Sequence, residues 1–259
     1  MTTSHLSASH LLESLTLVHW SNSSPTSALL SRLQIQHGFT GYRASAGIPS
    51  LAPHHVRQVH GREIVHASTL TAHTHSAASV GAERPAADAL YSQEGHRIGI
   101  KTADCLPVLV ASSDGIFVEA IHAGWRGLTA GILFKGIETA NRHSSLEDFR
   151  FVIGPAISRE AFEVGPEVVE ALRESSCGLG HDAWALAVSK GQADRWHVDL
   201  SVAAALQLVI AGVAPHNIEV LRACTVRDTR DELFLWNSFR RDGKGCDSNW
   251  SWIQGNVVK

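Results

Sequence analysis

The stretch 99–127, GIKTADCLPVLVASSDGIFVEAIHAGWRG, limits what this chain can fold into. Two apolar runs, 105–111 and 116–122, are rich in Val, Ile and Leu, and each is about one strand long. Ser-Ser-Asp-Gly between them reads as a turn. If the runs pair as a hairpin, the start of one strand and the end of the other share one sheet edge. Cys105 and His122 then come within reach of a single ligand, with Asp104 beside them. The Gly-Trp-Arg-Gly that follows leads into a helical pattern.

The remaining chain reads as alternating elements around this hairpin. A strand is expected within 11–19, and a short helix over 28–37 before Gly38. VRQVHGREIV predicts a strand, a tight turn at Gly61 and a second strand, with His60 beside the turn. ADALYS, 87–92, reads as a short buried strand or turn whose only charge is Asp88. Apolar residues at 128, 132, 133 and 137 predict an amphipathic helix over 128–142. A strand follows over 149–153 and stops at Gly154-Pro155. Pro166 and Glu167 suit the first turn of another helix. Residues 176–194 are polar with Gly. An Asp199 or Ser201 cap introduces a strongly apolar helix that Gly212 stops. Strands are expected over 218–222 and in the tail SNWSWIQ. Strands and helices mix without strict alternation, which points to one α/β domain with a mixed sheet.

Composition excludes several classes. The chain has 259 residues, enough for a sizeable core. Its formal charge of -3 argues against nucleic acid as the main partner. No run reaches the ~18 apolar residues of a membrane span. The N-terminus lacks the basic and apolar regions of a signal peptide. The four cysteines are widely spaced and form no CxxC, so a disulfide framework is not expected. A cytoplasmic protein with free thiols is the economical reading.

The chemistry-bearing residues allow more than one reading from spacing alone. His60, Cys105 and His122 offer two imidazoles and a thiolate. These are natural zinc ligands, and three of them leave an open coordination position. Alternatively, Cys105 is a nucleophile activated by His122 or oriented by Asp104. In a third reading Cys105 is a small buried residue and the histidines are spectators. Arg126, at an apparent helix start near Gly127, is suited to holding phosphate. Gln58 beside His60 is a candidate substrate contact.

QVHG (58–61), DALYS (88–92), TADCLPVL (102–109), HAGWRG (122–127), GPAIS…FEVG (154–165) and SFRRDGKG (238–245) appear in the order of one family. On these motifs the chain resembles the laccase-domain proteins, long labelled multicopper polyphenol oxidases and later associated with zinc-dependent purine nucleoside metabolism. The resemblance spans about 36–254. It implies one domain over 36–259 behind a variable segment 1–35. It also implies mixed sheets flanked by helices, layered αββα and cysteine-hydrolase-like. It implies zinc on His60, Cys105 and His122. The implied activities are phosphorolysis of adenosine, inosine or methylthioadenosine and deamination of adenosine, with nucleoside and phosphate as the small-molecule partners. Some members are instead linked to peptidoglycan-precursor editing. For deamination, activated water would attack the purine carbon bearing the amino group while Asp104 moves protons. For phosphorolysis, Arg126 would position the attacking anion, with Arg43 and Arg241 as the next candidates.

Three departures stand out. Phe39 and Arg43 are one residue further apart than in the family, and the segment between them and Gln58 is shortened. Ser158, Arg159, Glu160 and Ala161 follow GPAI, where the family often has cysteines. RRDG continues as Lys244-Gly245-Cys246, where the family usually continues Thr-Gly-Arg. Copper oxidation needs several histidine-rich sites, and His73 and His75 form the one HxH pair, so zinc is expected over copper.

Overall fold

In the computed structural model, the described residues are 16–19, 26–41, 53–70, 84–175 and 181–257. The expected hairpin is present. Strands β6 (Leu106–Ser112) and β7 (Val118–Ala123) pair antiparallel, with Leu106 opposite Ala123 and Pro107 opposite His122. Every residue of both strands is buried, because both faces are covered, which is why their sequences read as continuous apolar runs.

The hairpin lies inside a seven-stranded mixed sheet. Its order is β1 (Thr16–His19), β12 (Ile218–Arg222), β8 (Phe149–Ile153), β6, β7, β4 (Ala89–Ser92) and β3 (Ile64–His66). The pairs β1–β12, β12–β8 and β4–β3 are parallel, and those involving β6 and β7 are antiparallel. A second sheet, β2 (Gln36–Thr40), β15 (Asn249–Gln254) and β5 (Arg97–Thr102), covers one face. Helices α3 (Ile132–Asn141) and α6 (Leu200–Ile210) cover the other.

The two-residue period of a strand sorts the core. Leu106, Val108, Val110 and Ile121 pack with Leu133 and Leu206 on the helix side. Leu109, Ala111, Val118 and Ala120 pack with Ile98, Ile100 and Ile253 between the sheets. Smaller elements complete the chain. β9 (Glu163–Val164), β10 (Val188–Lys190) and β11 (Trp196–Val198) form a three-stranded sheet, and β13 (Thr229–Arg230) pairs with β14 (Leu233–Phe234).

Helix α4 (Pro166–Ser175) begins at its proline as expected, and Asp199 caps α6 by accepting from the Val202 N–H. Other expectations needed correction. The 28–37 segment is a short helix, α1 (Ala28–Arg32), followed by β2, whose partner β15 lies some two hundred positions away. The helix expected over 128–142 is two helices, α2 (Trp125–Thr129) and α3. Gly131, at φ 83°, takes the left-handed turn between them. The polar, Gly-bearing segment 176–194, for which the sequence suggests no element, contains α5 (His181–Trp184) and β10. The hairpin expected around Gly61 is absent: β3 forms, but residues 56–63 make a loop wrapped around the Asp88 carboxylate.

Candidate metal centre

The β6–β7 pairing carries Cys105, just before β6, to the edge where His122 ends β7. The third group arrives on the 56–63 loop. His60 Nε2 lies 3.9 Å from Cys105 Sγ, and the rings of His60 and His122 meet edge to face at 4.9 Å. The ligand atoms of His60, Cys105 and His122 all lie within 4.8 Å of one another. Tetrahedral zinc with bonds of about 2.0–2.3 Å places its ligand atoms roughly 3.5 Å apart, so small adjustments would seat an ion. Gly124 keeps the space open: a Cβ there would stand 2.8 Å from Cys105 Sγ and 3.5 Å from the His60 ring.

Asp88 holds the arrangement. It is fully buried. Its Oδ1 accepts from His122 Nδ1 at 2.8 Å, which leaves Nε2 for the cleft, and from the His60 N–H at 2.8 Å. Its Oδ2 accepts from the Gly61 N–H at 2.7 Å, and the Val59 N–H reaches both oxygens at 3.2 Å. These bonds fix His60 at φ 61°, a left-handed conformation that side chains with a Cβ seldom adopt. One carboxylate thus orients one candidate ligand and places the loop that supplies another. Burial alone would raise Asp88, but the His122 and backbone bonds outweigh it and hold the carboxyl below its usual range.

The thiol and imidazole are mutually tuned. Burial pushes the Cys105 thiol up, yet bonds and charge from His122 and His60 bring it down to about 7. Burial pulls His122 down, yet Asp88 and the Cys105 sulfur carry it up to about 9. Each group thus favours the charged form of the other, and thiolate is the donor form of the sulfur.

The centre lies in a cleft of about 470 Å³ that Trp125, Phe162 and Phe239 wall with aromatic surface and Lys101, Arg126 and Arg240 with positive charge. Of the expected site residues, Arg126 faces this cleft, exposed, with its guanidinium 4.3 Å over the Trp125 ring. It sits one residue inside α2, which starts earlier than expected. Gln58 also lines the cleft, but both ends of its amide bind the Lys101 backbone, at 2.7 and 2.8 Å. It therefore clamps the His60 loop to β5.

Asp104, expected to move protons, is committed elsewhere. Its carboxylate accepts from Thr225 Oγ1 and from the Arg240 N–H, both at 2.6 Å, which ties the turn before β6 that carries Cys105 to two later segments. Arg241 is likewise engaged, by the carbonyls of Thr225, Val226 and Trp236. Arg43, His73 and His75 lie outside the described residues.

The residue that sequence reasoning passed over is Asp88. Its signal was a lone charge in a buried strand. Replacing it with asparagine is expected to weaken metal binding about ten- to a hundred-fold, because an amide cannot accept all the bonds the carboxylate accepts. A competition titration with a chelator would check this; unchanged affinity would reduce Asp88 to a structural brace.

The sequence profile of the multi-copper polyphenol oxidoreductase laccase family matches residues 32–254. The chain belongs to that family. A relative from Xylella fastidiosa (strain 9a5c), named purine nucleoside phosphorylase, is 37% identical over 205 residues, covering 79% of this chain and 74% of its own length. A second, named adenosine deaminase RL5 and from an unknown prokaryotic organism, is 35% identical over 141 residues, covering 53% and 52%. Among solved structures, protein NMB0706 of Neisseria meningitidis superposes with a TM-score of 0.63 at 32% identity. That superposition covers 79% of this chain and 75% of that one. The α/β architecture with mixed sheets agrees with this placement. No helix among the described residues is long and apolar enough to cross a membrane.

Proposed function

We propose that this chain is a zinc-dependent purine nucleoside enzyme that cleaves adenosine, inosine or methylthioadenosine with phosphate and deaminates adenosine. The observation that carries the reading is the convergence of His60, Cys105 and His122 at an aromatic, cationic cleft, braced by Asp88. The names of the relatives point to the same chemistry. The donor set of two imidazoles and one thiolate fits a single redox-silent zinc, and it is the one such convergence among the described residues. Held by His60, Cys105 and His122, zinc would supply a Lewis acid to the cleft.

The chain's own residues do the rest. Trp125, Phe162 and Phe239 offer faces for a purine ring. In phosphorolysis a phosphate oxygen forms a bond to the ribose anomeric carbon, the bond to the purine nitrogen breaks, and the base leaves as it gains a proton. Arg126, whose guanidinium has no hydrogen-bond partner among the described residues, holds the incoming anion. In deamination water adds at the carbon bearing the amino group and ammonia leaves. Asp104 and Gln58 act by positioning.

Incubation of the purified protein with a panel of nucleosides, with and without phosphate, tests the reading by chromatography. Phosphate-dependent release of free base is expected, lost on chelation and restored by zinc. No conversion of any purine nucleoside would overturn it, and stoichiometric copper with little zinc would restore the oxidase reading. Arg126→Ala is expected to raise the phosphate requirement about ten- to a hundred-fold, the effect of losing one charged hydrogen-bond partner. Metal content should be unchanged and deamination should suffer less. Loss of metal in that variant would make Arg126 structural.

The lowered Cys105 thiol also favours a second reading, a Cys–His hydrolase acting on amide or thioester bonds. Alkylation separates the two. A free thiolate reacts at once with iodoacetamide, whereas a metal-held sulfur resists until a chelator is added.

A further inference from the structure

A second pocket, of about 290 Å³, opens beyond the ends of the parallel strands β8 and β12. Segment 156–160, after β8, forms one wall, and segment 222–228, at the end of β12, forms another. The start of α6, with Asp199 and Ser201, forms a third. The crevice outside the carboxyl ends of parallel strands is where α/β sheets commonly place ligands. Its walls share only Ile157 with the metal cleft.

Arg159, Arg222 and Arg227 line this pocket, and their donors are largely uncommitted. Arg227 gives one bond, from Nη2 to the Glu160 carbonyl at 3.1 Å. Arg222 gives one, from Nη1 to Asp199 Oδ2 at 3.0 Å. Arg159 bonds the Leu186 carbonyl and approaches Asp199 at 3.9 Å, but its buried Nε has no partner among the described residues.

The acids of the lining take up only part of this donor capacity: Asp199 faces Arg222 and Arg159, and Glu160 is held below its usual range by a Ser158 hydrogen bond, with charge from Arg227 and Arg159 adding to it. Both oxygens of Asp199 are used, one on the Val202 N–H and one on Arg222. Asp228 accepts the Cys224 N–H at 2.7 Å, and burial pushes its carboxyl up from the usual value. Glu160 is exposed to solvent. A planar guanidinium presents about five donors, and each of the three arginines commits one of them to a hydrogen bond among the described residues. The complement is a compact, oxygen-rich anion that several forks can grip at once.

We propose that this pocket binds the phosphate group of a small phosphate monoester, about the size of a pentose phosphate, through Arg159, Arg222 and Arg227. The site is separate from the metal centre and independent of the nucleoside reading. Occupancy would bear on segment 156–160, where the Ile157 N–H donates to the Asp104 carbonyl next to Cys105.

Calorimetric titration of the whole protein with ribose 5-phosphate, ribose and inorganic phosphate tests the proposal. Ribose 5-phosphate is expected to bind and ribose not to bind. Arg227→Glu, at an exposed position, and Arg159→Gln are each expected to weaken binding at least ten-fold. Arg126→Ala, in the metal cleft, should leave it unchanged. Absence of binding, or binding indifferent to both pocket variants, would overturn the proposal. So would loss of binding in Arg126→Ala, which would assign the anion to the metal cleft. In Arg126→Ala, where the metal cleft no longer holds phosphate, inorganic phosphate binding as tightly as the ester would overturn the assignment to a monoester.

Discussion

Cys105→Ala is expected to abolish metal binding and, with it, both phosphorolysis and deamination. The thiolate is the one anionic donor of the three, and the other two are neutral imidazoles when they ligate. Weakening a supporting bond to such a site typically costs ten- to a hundred-fold in affinity. Removing a ligand outright should cost more, taking the protein from about one metal per chain to essentially none. The fold should survive, because Cys105 lies just outside β6 and only partly buried, and the β6–β7 ladder does not depend on its side chain. His122 keeps its bond to Asp88 in the variant. Elemental analysis paired with both assays reads the outcome. Activity that persisted without metal would show that the metal does not carry the chemistry. Activity lost with metal retained would move Cys105 from ligand to nucleophile.

How much of this centre was legible depends on how far each residue's cause lay from it in sequence. The β6–β7 hairpin is local: two apolar runs and a four-residue turn specify it, and the meeting of Cys105 with His122 follows from register. Helices α4 and α6 are local in the same sense, through Pro166 at one start and the Asp199 cap at the other. The 56–63 loop is different. Val56, Val59, Ile64 and Val65 alternate too irregularly to define a strand, and Val59 is 45% exposed. What shapes the loop is a carboxylate 27 to 29 positions away. Nothing within VRQVHG announces that bond. The same distance hides the commitment of Asp104 to Thr225 and Arg240, more than a hundred positions on. The motif residues could be read as a set, but which of them face the cleft and which brace it was decided by partners elsewhere in the chain.

Glu119 yields the other large effect, on stability. It sits mid-strand in β7, opposite Tyr91 and Val110, under the bare backbone of Gly136 in α3. It is completely buried, and neither carboxylate oxygen has a hydrogen-bond partner among the described residues. Burial pushes its carboxyl up from 4.5 to about 8. The folded chain therefore binds this proton more tightly than the unfolded chain. Below about pH 4.5 both states are protonated and the group is neutral to stability. As pH rises toward 8 the unfolded state gains by ionising while the folded state does not, so stability falls. A shift of that size corresponds to about 5 kcal/mol, a large share of the 5–15 kcal/mol that holds a typical domain together. Glu119→Gln keeps the shape and removes the titration. It is expected to unfold at a temperature roughly 10 °C higher than the parent at pH 8.5, with the gap closing as pH falls toward 5. Glu119→Met, which also removes the unpartnered polar atoms, should gain slightly more. Thermal unfolding of the three proteins across that range would check it. Parallel pH profiles for parent and Glu119→Gln would mean that the carboxylate finds a counter-charge in the folded protein and ionises in place.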